Sequence, residues 1–386
     1  MNFDAIIDRR NTGSVKHDLV AKKGLPADTL PMWVADMDFQ TPACVREAIG
    51  KAAEFGLFGY SFPDDGYLSA VQSWFTRRFS YPVDKSWIVC TPGVVTALNL
   101  AVQVCTQPGD GVLVQTPVYY PFYSVIRSND RKVVETPLRY ENGCYSIDFA
   151  DMEEKLKTVK LFILCSPHNP ICRVWTREEL EKMGRLCQKY GVTVVADEIH
   201  CDFTWQDHPH TPFHMACPEL LEQSIVCTAP SKSFNLAGLQ TSNLFIPSHS
   251  LRQAYLAQMD KRSIHQPNLL GLIACRAAYE GGEAWLEECK TYIRKNLAYL
   301  KAYLEKNLPK VKLVAPEGTY FAWLDCTGLG LSAQELNRRI LEVGMLWLDE
   351  GGLFGSQAEL FQRIVLATPK ANVEEACKRL SQALAD

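Results

Sequence analysis

The sequence predicts an α/β fold in which helices cover a mostly parallel sheet, followed by a smaller α+β domain. From about residue 43, helical patterns alternate with short apolar runs, as expected for parallel strands joined by helices. Two runs, FILC (162–165) and VTVVA (192–196), are continuously apolar, which is typical of strands buried on both faces. A long helical pattern at 282–305 precedes a C-terminal segment that mixes strands and helices.

These patterns divide the 386 residues into a large domain at 46–283, a small domain at 284–386 and an N-terminal segment at 1–45 that joins the small domain. The predicted helices of the first part are 43–55, 66–79, 94–105 and 176–190, and its strands are 87–90, 112–115, 160–165, 192–196, 224–228 and 242–246. In the C-terminal part, strands are expected near 311–314, 319–325, 346–348 and 362–367, and helices near 332–343 and 372–384.

Composition excludes several classes of protein. The net charge is −4 and there is no long basic run, so neither nucleic acid nor an anionic membrane is an expected partner. The apolar runs are too short to span a bilayer, and the N-terminus lacks the apolar core of a signal peptide. The fourteen cysteines are scattered without metal-ligand spacing, so we expect no metal site, reduced thiols and a cytoplasmic location.

Ligands of open α/β sheets bind beyond the carboxyl ends of the strands, so the loops that follow the apolar runs are the candidate site. Five of these loops are rich in Gly, Pro, aromatic or ionisable residues: TPGVV (91–95), TPVYYPF (116–122), SPHNPICR (166–173), DEIHCDF (197–203) and APSKSFNLAGL (229–239).

Each loop offers one chemical group, and each group has an ordinary structural alternative. Lys232 is a candidate carbonyl-binding amine, although it could be a surface lysine. Asp197 could pair with a buried pyridinium nitrogen or simply cap a helix. His200 and Asn169 could contact a phenolic oxygen, or be a structural histidine and a turn residue. Tyr119 could stack on a flat ring or pack in the core.

Gly93 precedes a predicted helix, so the free N–H groups of Val94 and Val95 could bind a phosphate at the positive end of the helix dipole. Thr-Pro-Gly alone carries little information. The order of all five loops, each at a strand end, is far more specific than any one of them.

That order resembles the fold-type I superfamily of pyridoxal 5′-phosphate (PLP) enzymes, represented by aspartate aminotransferase, over nearly the whole chain. Within it, the segments MWVADMDF, FGYSFPDDGY, TPGVV, SPHNPICRVW, DEIHCDF, APSKSFNLAGLQ and RIVLATP are similar to the cystathionine β-lyase (C–S lyase) group. The resemblance implies a large PLP-binding domain with a seven-stranded, mostly parallel sheet, plus a smaller α+β domain.

The resemblance also implies residue roles. Lys232 would carry PLP as a Schiff base and move protons, with help from Tyr119, which would also stack on the ring. Asp197 would hold the ring nitrogen protonated, and Asn169 and His200 would contact the 3′-oxygen. The phosphate would be held by Gly93, Val94, Val95 and Ser231, and by Tyr60 from the neighbouring subunit of a homodimer. Arg363, Ala35 and Tyr60 would contact the amino-acid substrate, with Arg363 gripping its α-carboxylate; outside the resemblance, Arg363 reads as a surface residue opening a strand.

The sequence departs from the superfamily pattern at three positions. Gln240 stands where many members have a phosphate-binding arginine, so backbone N–H groups and hydroxyls must contribute more. Ser166 stands where asparagine is common, and Cys172 where glycine is common. Cys172 could make the enzyme sensitive to thiol reagents, although an inert, packed cysteine is expected.

The implied reaction is α,β-elimination of L-cystathionine or a related cysteine thioether to a thiol, pyruvate and ammonia. The same residues would also serve an aminotransferase of aromatic or small amino acids. A third hypothesis is a regulatory binding protein that retains PLP as a structural ligand.

Overall fold

A computed structural model of the protein describes residues 1–385. Its α-helices are α1 Val15–Lys22, α2 Ala43–Phe55, α3 Asp65–Phe79, α4 Val94–Cys105, α5 Pro121–Arg127, α6 Phe149–Leu156, α7 Arg177–Tyr190, α8 Phe213–Ala216, α9 Pro230–Ser233, α10 His249–Lys261, α11 Leu269–Gly281, α12 Glu283–Asn307, α13 Ala333–Arg338 and α14 Lys370–Leu384. Its strands are β1 Leu30–Pro31, β2 Ile88–Thr91, β3 Gly111–Thr116, β4 Lys132–Pro137, β5 Arg139–Glu141, β6 Cys144–Ser146, β7 Val159–Cys165, β8 Thr193–Asp197, β9 Ser224–Thr228, β10 Ser242–Phe245, β11 Lys312–Leu313, β12 Phe321–Asp325, β13 Leu346–Trp347, β14 Asp349–Glu350 and β15 Phe361–Val365.

The central sheet has seven strands in the order β2-β10-β9-β8-β7-β3-β4. Strand β10 runs antiparallel to both of its neighbours, and the remaining pairs are parallel. This confirms the predicted seven-stranded, mostly parallel sheet.

Helices cover both faces of this sheet. Alternate side chains along a strand therefore pack into two different hydrophobic clusters, one on each face. In β7, Phe162 and Leu164 belong to one hydrophobic cluster, whereas Leu161 and Ile163 belong to the other. A strand buried on both faces needs no polar positions, which explains the continuous apolar runs in the sequence.

The C-terminal part is built around a four-stranded antiparallel sheet in the order β11-β12-β15-β14. The 25-residue helix α12 precedes it in the chain, and α14 packs against α12. The N-terminal strand β1 pairs in parallel with β13, which ties the first residues of the chain to this region.

Some elements differ from the prediction. Strand β4 (KVVETP) was not predicted, because it is an edge strand and is not continuously apolar. Five of its six residues are partly or fully exposed. Helix α1 was not predicted either, because it lies in a stretch rich in turn-forming residues. The predicted helix at 332–343 consists of α13 followed by a π-helical turn, Arg339–Val343. Within residues 1–385, no helix combines the length and apolar character that crossing a membrane requires.

Candidate active site

A cavity of about 320 Å³ opens where the loops after β2, β3, β7, β8 and β9 meet at the carboxyl edge of the central sheet. Ten of the predicted site residues line it: Ala35, Gly93, Val94, Val95, Tyr119, Asn169, Asp197, His200, Ser231 and Lys232. The loops converge because β3, β7, β8 and β9 are parallel neighbours whose carboxyl ends share one edge.

Lys232 lies in the one-turn helix α9, directly after β9. Its ammonium group donates a hydrogen bond of 2.7 Å to the carbonyl oxygen of Ala35, 197 residues away in the N-terminal segment. Burial lowers the pKa of Lys232 to about 8, with a further contribution from the positive charge of Arg363. The amine is therefore within reach of its uncharged, nucleophilic form near neutral pH.

Asp197 is the last residue of β8 and is 4% exposed. Its Oδ1 accepts a hydrogen bond of 3.1 Å from the backbone N–H of Ile199. Burial raises the pKa of Asp197 to about 7, although the Ile199 N–H group and the charge of Lys232 oppose the rise. A buried carboxylate with so little compensation is suited to a cationic partner such as a protonated ring nitrogen.

His200 lies near Asp197 in the same loop and is 4% exposed. Its Nδ1 is buried and has no hydrogen-bond partner within residues 1–385. Burial holds the pKa of His200 well below its usual value, so its ring is neutral and can offer one donor and one acceptor.

Asn169 lines the cavity and pairs with Arg363, which is not among the residues that line it. Arg363 Nη1 donates to Asn169 Oδ1 at 2.8 Å, and because arginine only donates, this contact identifies the oxygen of the amide. The Asn169 Nδ2 group is left as a donor for a ligand oxygen. Arg363 itself is 2% exposed in the middle of β15, so its reading as a surface residue at the start of a strand is wrong.

The end of the cavity near α4 is suited to an anion. Gly93 adopts φ 92° and caps α4 without any side-chain hydrogen bond to the first turn, so the first N–H groups of the helix remain available. A left-handed φ of this kind favours glycine. Gln240 also lines the cavity, and among the residues described as lining it the only cationic side chain is Lys232.

The cavity therefore fits PLP. The α4 N-terminus suits a phosphate, the carboxyl of Asp197 suits a protonated ring nitrogen, and the amide of Asn169 and ring of His200 suit a phenolic oxygen. Tyr119 lines the same cavity, and burial raises the pKa of its hydroxyl, which keeps the group protonated.

Cys172 is in the same loop as Asn169 but is not among the residues that line the cavity. The side chain is buried, its Sγ contacts the backbone oxygen of Pro170 at 3.3 Å, and burial raises its pKa to about 12. A thiol this rarely ionised is a weak nucleophile, as expected for a packed cysteine.

Three contributions to the site were missed in the sequence. Asp349 forms a buried ion pair with Arg363, Tyr320 donates to the Ala35 oxygen at 2.9 Å, and the Trp33 carbonyl accepts from Arg363 Nη2 at 3.0 Å. The segment MWVADMDF did carry a signal, since it was among the motifs of the resemblance. Nothing in the sequence near Asp349 distinguishes it from the neighbouring acid Glu350.

Tyr60 lies apart from the cavity and is 93% exposed. It belongs to an exposed run of large apolar residues that also includes Phe55, Leu57, Phe58 and Phe62. Side chains of this size rarely remain in water together on a monomeric protein, so this surface is suited to a protein partner.

Comparisons with known proteins agree with this geometry. The family model described as aminotransferase class I and II matches residues 28–380. The chain is 43% identical to cystathionine β-lyase PatB of Bacillus subtilis (strain 168) over 386 residues, which cover all of both proteins.

Solved structures extend the comparison. The crystal structure of cystalysin from Treponema denticola, which contains PLP, has a TM-score of 0.96 and 35% identity, covering 99% of this chain and 98% of that one. The PLP-bound C–S lyase from Staphylococcus hominis has a TM-score of 0.94 and 33% identity, covering 100% of this chain and 98% of that one.

Proposed function

Because the chain belongs to the aminotransferase class I and II family, we propose that it is a PLP-dependent carbon–sulfur β-lyase. It cleaves L-cystathionine or a related cysteine thioether by α,β-elimination, giving a thiol (homocysteine from cystathionine), pyruvate and ammonia. The observation that carries this proposal is the cavity that unites Lys232, Asp197 and Asn169, in a chain with 43% full-length identity to a cystathionine β-lyase.

PLP, when bound, supplies an electron sink for the negative charge that develops at the substrate Cα. In our proposal its phosphate is held by the backbone at Gly93, Val94 and Val95 and by the Ser231 side chain. The charge of Asp197 keeps the ring nitrogen protonated. These residues line one continuous cavity, which supports their acting on one ligand.

Asn169, His200 and Tyr119 complete the proposed cofactor site. The Nδ2 group of Asn169 and the neutral ring of His200 contact the phenolic oxygen, and Tyr119 packs on the ring. The raised pKa keeps the Tyr119 hydroxyl protonated at neutral pH, so its part in catalysis is to orient the substrate amine by hydrogen bonding, while Lys232 takes the proton.

Lys232 is the proposed acid–base group of the elimination. Its Nζ takes the proton from Cα, the electron pair left at Cα forms the Cα=Cβ double bond, and the pair of the broken Cβ–S bond leaves with the sulfur as a thiolate. The lowered pKa of about 8 suits a group that must both take and give a proton near neutral pH. The Ala35 carbonyl holds the amine at 2.7 Å when it is free. 2-Aminoacrylate, once released, hydrolyses to pyruvate and ammonia.

Arg363 is the proposed partner of the substrate α-carboxylate, with Ala35 and Tyr60 as further substrate contacts. The guanidinium group is buried next to Asn169, so charge-assisted hydrogen bonds to a carboxylate there would be strong.

We further propose that the enzyme is a homodimer with shared active sites, in which Tyr60 of the partner subunit reaches the phosphate. The exposed run from Phe55 to Phe62 supports this assembly, because a second copy would remove it from water.

We also propose the division into a large PLP-binding domain (46–283), a small domain (284–386) and an N-terminal segment (1–45) that joins the latter. The β1–β13 pairing supports the last assignment. A cytoplasmic location is supported by fourteen cysteines that are all unpaired, since thiols persist in a reducing compartment.

The proposal is tested by incubating purified, PLP-loaded protein with L-cystathionine and no keto acid, while pyruvate and free thiol are measured. A lyase forms both in equal amounts. An aminotransferase needs a keto-acid acceptor, so turnover that appears only when 2-oxoglutarate is added would favour that alternative, and PLP binding without turnover in either assay would favour a regulatory role.

A further inference from the structure

Asp349 and Arg363 stand directly opposite each other on the paired antiparallel strands β14 and β15. This register places both side chains on the same face, where Arg363 Nη2 donates to Asp349 Oδ2. The two side chains are 3% and 2% exposed. The arginine proposed to bind the substrate carboxylate is thus already neutralised by a carboxylate of the protein.

The donors of Arg363 limit how a second carboxylate can bind. A guanidinium presents paired N–H groups on two of its edges, and each of these edges includes one hydrogen of Nη2. Nη2 donates to the Trp33 carbonyl at 3.0 Å and to Asp349, while Nη1 donates to Asn169. A bidentate substrate carboxylate therefore requires that one of the two Nη2 contacts be released.

Asp349 is the contact expected to give way. The Trp33 carbonyl is neutral, whereas Asp349 carries the same charge as the incoming carboxylate, and two carboxylates on one buried cation repel each other. Arg363 keeps its place without Asp349, because Asn169 holds Nη1 and the Phe321 ring lies 4.4 Å from the guanidinium carbon.

We propose that Asp349 is an internal competitor for the substrate α-carboxylate at Arg363 and thereby sets the affinity of the site for amino acids. This inference rests on the proposed role of Arg363 in substrate binding. It predicts an unusual sign: removing the negative charge of Asp349 strengthens substrate binding. If Asp349 served only to orient Arg363, the same change would weaken binding.

The test uses the PLP-loaded enzyme and the absorbance of its cofactor, titrated with L-alanine and with L-alaninamide, which lacks the carboxylate. Asp349→Asn keeps the size and one acceptor oxygen but removes the charge. The matched control is Glu350→Gln, which removes a charge from the exposed neighbouring position on β14. Thermal melting of each variant reports the fold.

We expect Asp349→Asn to lower the Kd of L-alanine by about tenfold, with L-alaninamide unchanged and Glu350→Gln like the wild type. With L-cystathionine, the gain should appear as a lower KM at nearly unchanged kcat, because the interaction is made in the ground state and transition state alike.

The proposal is overturned if Asp349→Asn melts like the wild type but binds L-alanine equally or more weakly, or if L-alaninamide gains as much as L-alanine. If the asparagine variant does not fold, Asp349→Ser, which also removes the charge, is titrated in the same way. If neither variant folds, Asp349 is a structural requirement and the proposal is wrong. Absence of pyruvate from L-cystathionine would refute the proposed lyase activity alone, since the L-alanine titration does not depend on it.

Discussion

Replacing Asp197 with asparagine should have opposite effects on the cofactor-free and the cofactor-bound protein. Without the cofactor's ring nitrogen beside it, Asp197 is a buried carboxyl whose pKa is raised from 3.8 to about 7, mainly by burial, which the charge of Lys232 only partly offsets. The folded state then holds the proton more tightly than the unfolded state does. The free energy of unfolding should therefore fall as the pH rises from about 4 to about 7.

The size of this loss follows from the pKa change and is about 4 kcal/mol at most. Asparagine fills nearly the same space and carries no charge at any pH. The cofactor-free Asp197→Asn protein should consequently be more stable than the wild type at pH 8 and similar to it at pH 4. Urea unfolding at the two pH values measures this difference. The control is Asp207→Asn, which removes an exposed carboxylate and keeps Asp197, so its stability should fall with pH as that of the wild type does.

With PLP bound, the sign reverses because the carboxylate then has its cationic partner. Asp197→Asn should bind PLP more weakly and lose at least ~10-fold in kcat, since the charge matters most in the transition state. Equal stabilities of the two cofactor-free proteins at pH 4 and pH 8 would refute the reasoning about burial. A near wild-type kcat with PLP bound would refute the role of Asp197 at the ring nitrogen.

Three further predictions concern other site residues. Borohydride reduction of the yellow holoenzyme should abolish its absorbance band and leave a phosphopyridoxyl group on Lys232, as located by peptide mass spectrometry; an adduct on another lysine would disprove the assignment. Mixtures of Lys232→Ala and Tyr60→Phe proteins should regain activity through hybrid sites, and no recovery despite demonstrated subunit exchange would contradict a shared site. Arg363→Lys should lower kcat/KM for a thioether substrate ~10- to 150-fold, mostly through KM, because one charge-assisted hydrogen bond is worth roughly 1.5–3 kcal/mol; unchanged kinetics would place the carboxylate elsewhere.

The sequence predicted several buried elements with the right bounds, since burial leaves a regular apolar signal, although it missed the partly buried helix Leu269–Gly281. Helices 43–55 and 94–105 and strand 224–228 have the same bounds in the structure as in the prediction. The edge strand Lys132–Pro137 gave no such signal, because an edge strand faces solvent and its composition is mixed.

The predicted site came together because its residues follow parallel strands, whose carboxyl ends must lie at one edge. This rule needs only local information, namely where each apolar run stops. It brought Asn169, Asp197 and Lys232 into one cavity although they are up to 63 positions apart in the chain. The rule could not predict Arg363, because this residue lies in β15 of the four-stranded sheet. Its assignment to the site came from the resemblance alone.

The sequence pattern could not predict two kinds of contact in the site: those to backbone carbonyl groups and those that depend on strand register. Every residue has a carbonyl group, so nothing in the sequence selects the oxygen of Ala35 for Lys232 or that of Trp33 for Arg363. The pairing of Asp349 with Arg363 likewise depends on register: a shift of β14 by one residue would place Glu350 opposite the arginine and turn Asp349 to the other face. Both acids have the same charge and nearly the same sequence surroundings, yet the register buries Asp349 beside the guanidinium and leaves Glu350 exposed. The electrostatics of the carboxylate site therefore depend on the register of the folded sheet. Removing the charge of Asp349 should change the affinity for the substrate carboxylate, whereas removing that of Glu350 should not.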